Sequence, residues 1–231
     1  MIAVALLAAA GVLVWYLIAA PRSQWMGPTL SAGASDVPEV ALTFDDGPGP
    51  QTPQILDALK AASVHATFFL CGANVEQHPA IARRIQAEGH EIGNHTHSHP
   101  RLLGRTPGAI ALEIDRAQKV IEAHTGVQPR VFRPPYGLRW FGLFPILAQR
   151  KLHAVMWSVD PLDWRRSQEE IRKQVLACAH PGAIILLHDG MPPRESGTRQ
   201  ATVLALPPIL GQLKTRYRLV TVSELRTQRP N

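Results

Sequence analysis

Seven short apolar, β-prone runs recur along this chain, at Val40–Phe44, Ala66–Leu70, Glu91–Asn94, Val131–Arg133, Ala154–Val159, Ala183–Leu187 and Leu219–Val222, with helix-like segments between most of them. Strands that alternate with helices pair in parallel, because each helical crossover returns the chain to the same end of the sheet. The pattern predicts the α/β class, in its simplest form a distorted (β/α) barrel of about seven parallel strands. Local punctuation agrees with it. Thr52-Pro53 and Thr106-Pro107 each read as an N-cap followed by proline at the first helical position, and Ser167 with Glu170 forms an S-x-x-E capping box. Gly89 and Gly126 stand where helices should stop.

The polar residues fall at one end of those runs. Asp45 and Asp46 follow the first, His95 the third, Asp160 and Asp163 the fifth and His188 the sixth, while Arg133 closes the fourth. In parallel barrels the C-terminal ends of the strands build the active site, so these groups are expected on one rim.

Residues 94–100 read NHTHSHP. Three imidazoles that close repel if all are charged, and a metal ion is the usual agent that keeps them neutral. His95 and His99 are four apart, a spacing at which one turn brings both rings to one side. With Asp46 they offer two nitrogens and one oxygen and leave positions open for water and substrate, the pattern of a catalytic divalent site. His97 points elsewhere in this reading. Asp45, adjacent to Asp46 on a strand end, should point in a different direction. It is then a candidate general base for a water that the cation activates. His188, with an ordinary pKa near 6.5, suits a general acid.

The remaining sequence sets domain organisation and partners. Residues 2–20 contain no charged residue and would span roughly 28 Å as a helix, close to a bilayer's hydrocarbon thickness. Residues 1–20 are therefore expected to be a transmembrane anchor or uncleaved signal, 21–38 a Pro/Gly/Ser/Ala-rich linker, and 39–231 the catalytic domain. The expected location is membrane-anchored, with that domain periplasmic or extracellular. The net charge of +6 comes mostly from scattered arginines. With no run of like charge and no zinc-finger spacing, nucleic-acid binding is excluded as an expectation. Cys71 and Cys178, the two cysteines, read as buried free thiols.

Five stretches carry a family resemblance. Thr43-Phe44-Asp45-Asp46-Gly47-Pro48, His95-Thr96-His97-Ser98-His99-Pro100, Arg133-Pro134-Pro135-Tyr136, Asp160-Pro161-Leu162-Asp163-Trp164 and Ile184-Ile185-Leu186-Leu187-His188 resemble, in order, the motifs of the polysaccharide deacetylases, the NodB-like carbohydrate esterases. The resemblance implies a distorted (β/α) barrel and a divalent metal held by Asp46, His95 and His99, usually Zn2+, with Co2+ or Ni2+ as alternatives. It implies hydrolysis of an N-acetyl group on an amino sugar, with Asp45 as base, His188 as acid and Arg133 orienting Asp45. Asp163 would tune His188 or brace Arg133. The Tyr136 backbone N–H would help bind the oxyanion, and Trp164 and Leu186 would line the acetyl pocket. His97 departs from the pattern, standing where an aromatic residue is more usual, and Ile184 replaces a leucine. Residues 137–144, unusually apolar, read as the start of a core-facing helix, with a membrane-touching lip as the sharper alternative.

The expected function is thus metal-dependent N-deacetylation of a glycan such as peptidoglycan, a chitin-like oligomer or an exopolysaccharide. A lipid-linked amino sugar losing acetyl or formyl is the alternative substrate. A non-catalytic glycan-binding envelope protein is the alternative class.

Overall fold

The computed structural model describes residues 1–227, the side chains of 2–10 excepted. In chain order the strands are β1 (Thr29–Leu30), β2 (Glu39–Gly47), β3 (Thr67–Leu70), β4 (Glu91–Asn94), β5 (Val131–Phe132), β6 (His153–Val155), β7 (Ala183–His188) and β8 (Arg218–Val220). The helices are α1 (Ile2–Ala19), α2 (Thr52–Ala62), α3 (Gly72–Gln77), α4 (Pro79–Ala87), α5 (Pro107–Thr125), α6 (Leu143–Gln149), α7 (Gln168–Cys178), α8 (Gln200–Leu213) and α9 (Val222–Thr227), with a 3-10 turn at Pro135–Gly137.

β2 is the axis of the sheet, and all of its residues are buried. One edge pairs with β7 from Val40 to Asp45; the other pairs first with β8 and then with β3. From β3 the sheet continues through β4, β5 and β6 to β1, every ladder parallel. Beyond the end of β6, Val159 forms a parallel bridge to Ile185 of β7. With a second, antiparallel bridge from Ala32 to Ala183, the sheet curls toward closure through isolated bridges in place of a full ladder, a distorted barrel.

Alternation along β2 divides the core. Val40, Leu42 and Phe44 join Ile55, Leu56, Ile171 and Leu206 in the layer between sheet and helices, where Phe44 and Phe68 stack at 5.0 Å. Ala41 faces the other way, with Phe69, Val131, Val155 and Ile184. Strands buried on both faces must be apolar at nearly every position, which explains their uninterrupted runs. The cap of α5 forms as its sequence suggests: Thr106 accepts from the Ala109 N–H and Gly126 takes φ 71° at the far end. The capping box of α7 is also present.

Other expectations are corrected. Among the described residues no helix is long and apolar enough to cross a membrane, so the anchor expected at 1–20 is not supported; the side chains of 2–10 lie outside the described residues. α1 has 18 residues, roughly 27 Å of rise, and its last turn is committed to the protein. Ile18 is buried, and the Arg139 guanidinium donates to the carbonyls of Ile18 (3.2 Å), Ser23 (2.6 Å) and Ala20 (2.6 Å). The segment read as a linker, 21–38, also belongs to the fold. Thr29 and Leu30 complete the sheet edge beside β6, and the Gly33 N–H donates to the Gly182 carbonyl. Thr52 is the first residue of α2, with Gln51 as its cap. Cys178 is exposed at the end of α7, whereas Cys71 is buried as expected. In 137–144 the helix starts only at Leu143, after Gly142 at φ 84°; Leu143, Ile146 and Leu147 face the core, and Phe141 is exposed.

Candidate active site

The C-terminal ends of β2, β4, β5 and β7 and the segment after β6 meet around one cavity of about 440 Å³. Asp45, Asp46, His95, His99, Leu186 and His188 are among its walls, with Tyr136 and Trp164 at the rim, half exposed.

Adjacent strand residues should face opposite sides, yet Asp45 and Asp46 both reach the same cleft. Their carboxylates lie 3.7 Å and 3.4 Å from His95 Nε2. The cause is a bulge: Asp46 sits at φ 67°, in the left-handed region, and the register against β3 shifts between Asp45 and Gly47. One extra residue re-aims the next side chain, as bulges beside active sites do. The expectation that these carboxylates diverge is corrected. What separates them is their partners, because Asp45 Oδ1 is taken by Arg133 at 2.7 Å whereas Asp46 Oδ1 has no hydrogen-bond donor.

The ligand atoms of Asp46, His95 and His99 all lie within 4.8 Å of one another, and all three residues are buried. His95 Nδ1 lies 2.7 Å from the Arg133 carbonyl, an acceptor only, so that nitrogen carries the proton and Nε2 presents its lone pair. His99 Nε2 is 3.1 Å from Asp46 Oδ1. Bonds of about 2.0–2.2 Å to a tetrahedral cation place ligand atoms about 3.4 Å apart. The donor set, its spacing and the orphaned Asp46 oxygen therefore fit a divalent cation. The charge states fit as well. Burial alone would raise the Asp46 carboxyl, but the adjacent imidazoles of His95, His99 and His188 hold it far below the usual carboxylate range. Burial lowers His99 to about 4, keeping it neutral.

Two flanking pairs complete the site. Arg133, fully buried, donates to Asp45 and Thr43 from Nη1 and to the Met156 carbonyl from Nη2, its Cζ 4.2 Å from the centroid of the Phe69 ring. Opposite, His188 Nδ1 meets Asp163 Oδ1 at 2.7 Å, and Asp163 Oδ2 accepts from the His188 N–H and the Thr202 hydroxyl. Burial opposes charge on the His188 ring, but the Asp163 carboxylate overrides it, with Asp46 and Asp45 adding, and the imidazole is raised to about 9. Asp163 therefore contacts His188, and Arg133 is braced by other groups. Tyr136, at φ 58°, lays its ring 4.6 Å from His99. His97 turns from the cleft toward Glu76, 3.7 Å away. Sequence reasoning missed Thr202, which steadies Asp163 from α8, and Arg199, whose Nη2 lies 3.9 Å from Asp46 Oδ2. Neither sits in a recognisable motif; only the tertiary fold brings the start of α8 to the rim.

A parallel α/β barrel that brings a buried Asp-His-His set, able to hold a cation, between two such pairs at its strand ends defines a recognisable class of protein. The chain belongs to the polysaccharide deacetylase family, whose description matches residues 32–155. It is 40% identical over 203 residues to the peptidoglycan-N-acetylglucosamine deacetylase of Bacillus cereus, covering 84% of this chain and 70% of that one. To the chitooligosaccharide deacetylase of a Bradyrhizobium strain it is 44% identical over 186 residues, 77% of this chain and 85% of the relative. Among solved structures, a peptidoglycan N-acetylglucosamine deacetylase in complex with an N-hydroxybenzamide superposes with a TM-score of 0.82 at 39% identity, covering 87% and 94% of the two chains. A pseudoenzyme of the CE4 family from Bacillus anthracis superposes at 0.79 with 30% identity, covering 86% and 68%.

Proposed function

We propose that this protein is a metal-dependent N-deacetylase of glycans built on N-acetylglucosamine, such as peptidoglycan or chitin-like oligosaccharides. The observation that carries the reading is the pairing of Asp45 with Arg133 and of His188 with Asp163 on either side of the Asp46, His95 and His99 set. A divalent cation, Zn2+ above all, would be held by Asp46, His95 and His99 and would supply Lewis-acid polarisation of the amide carbonyl and the attacking water.

The chain's own residues do the rest. Arg133 occupies one oxygen of Asp45 and leaves Oδ2 to take the proton of the attacking water. His188, kept protonated at neutral pH by Asp163, gives its proton to the leaving amine nitrogen. Water and amide thus become acetate and a free amino sugar. The backbone N–H of Tyr136 shares the developing oxyanion. Leu186 bounds the acetyl methyl, while the exposed faces of Trp164 and Tyr136 offer stacking surfaces to sugar rings.

A glycan-binding protein without activity, the reading that a pseudoenzyme in the family keeps open, has no use for a base and a protonated acid around one cation. The deciding experiment strips the protein with a chelator and restores Zn2+, Co2+ or Ni2+ while following acetate release from chitin oligomers, peptidoglycan and a lipid-linked N-acetyl sugar. Release from polymers, lost with the metal and regained on add-back, is expected. Release from the lipid-linked sugar alone would move the substrate, and no release from any of them would sink the hydrolase reading.

A further inference from the structure

Residues 95–99 carry two of the three proposed ligands on backbone that a free loop would not hold. Thr96 and His99, neither of them glycine, lie in the left-handed region at φ 67° and 56°. Part of the turn is stabilised from within: the Thr96 N–H donates to Asn94 Oδ1 at 2.9 Å and the His99 N–H to Thr96 Oγ1 at 3.2 Å. At the start of α3, the N–H groups of Gly72 and Ala73 donate to the carbonyls of Thr96 and His97.

Two of the N–H groups between the ligands, those of His97 and Ser98, turn the other way, toward α5, where one carboxylate receives them. Glu113 Oε2 accepts from His97 N at 3.1 Å and Ser98 N at 2.8 Å, and Oε1 accepts from the Ser98 hydroxyl at 2.8 Å. The next residue on α5 holds the start of the loop, since Asn94 Nδ2 donates to the Ile114 carbonyl at 3.0 Å. Glu113 itself does not line the cleft.

We propose that Glu113 is a positioning residue for the cation: by tying His97 and Ser98 to α5 it keeps His95 and His99 at their spacing from Asp46, and so sets metal affinity. This role rests on the reading of Asp46, His95 and His99 as metal ligands. Backbone released from Glu113 can relax out of its left-handed conformers, and the two imidazoles then lose their common focus.

The test is zinc binding to the full chain, by competition with a chromophoric chelator at fixed pH, alongside the melting temperature of the metal-free protein. Glu113→Ala removes all three bonds, whereas Glu113→Gln keeps an acceptor for the two N–H groups and a partner for the hydroxyl. Glu113→Ala is expected to weaken zinc binding roughly 10–100-fold, the usual effect of losing a contact that orients ligands, with Glu113→Gln within about threefold of the unaltered protein. Unchanged zinc affinity in Glu113→Ala overturns the proposal, even if its melting temperature falls, because that is the mark of a merely structural residue. Equal losses in both variants overturn it too. Should Glu113→Ala fail to fold, Ser98→Ala deletes one bond of the three: a several-fold loss is expected, and none refutes the role. Failure of the unaltered protein to bind zinc instead removes the metal reading itself.

Discussion

Asp163→Asn isolates the pair that keeps His188 charged. The substitution preserves size and can still accept from Thr202, but it removes the carboxylate 2.7 Å from the His188 ring. The rise of His188 from 6.5 to about 9 corresponds to roughly 3 kcal/mol of preference for the imidazolium in the folded state. A group raised on folding contributes its full stabilisation below its unfolded value and loses it as pH climbs through the folded one. The unaltered, metal-free protein should therefore lose roughly 3 kcal/mol between about pH 6.5 and pH 10 from this group. In Asp163→Asn the burial that opposes charge loses its main counterweight, with only Asp46 and Asp45 still raising the imidazole, so that slope should shrink or vanish. A cation on Asp46 would remove the part of the field that Asp46 supplies, and the Asp163 part would persist. Urea unfolding of the two metal-free proteins across this range, read by circular dichroism, measures the difference. Parallel loss of stability in both would refute the assignment of the shift to Asp163. The zinc-loaded variant should also show its basic limb of kcat displaced to lower pH, with kcat down about 100-fold or more at neutral pH.

Asp45→Asn should retain zinc within a few-fold while kcat falls about 10²–10⁴-fold, the usual weight of a general base; Asp46→Ala and His95→Ala should lose the metal itself, by elemental analysis of dialysed protein. Arg139→Met leaves three carbonyls around α1 without their donor and should cost about 2–5 kcal/mol in urea unfolding; a change below about 0.5 kcal/mol would show that the end of α1 is not held there. In the folded protein Cys178 should react with a thiol reagent within seconds to minutes and Cys71 only on unfolding, since burial pushes the Cys71 thiol well up and Cys178 is exposed.

The strands, two helix starts and the rim residues were legible in the sequence because each is a local signal. Apolar runs mark doubly buried strands, Ser167 with Glu170 marks a cap, and side chains directly after a strand must lie at its end. Residues whose role depends on distant partners were not legible. Thr29–Leu30 is too short to show a period, and only the open edge of β6 makes it a strand. Thr52 looks like a cap, but its hydroxyl bonds Asp189 at 2.5 Å, 137 positions away. Cys178 sits on the outward side of α7, which a single helical stretch read as buried does not reveal. The bulge at Asp46 inverted an inference drawn from ideal strand geometry, since alternation fails where one residue leaves the β region.

Arg133 bonds His95 through its own carbonyl and Asp45 through its side chain. One residue thereby acts as a caliper between the two halves of the proposed chemistry, so the gap from cation to base cannot drift by independent motion of two loops. Lysine at 133 could keep the carbonyl jaw but would offer a flexible point charge in place of the planar fork, and tinkering at this locus would move both jaws together.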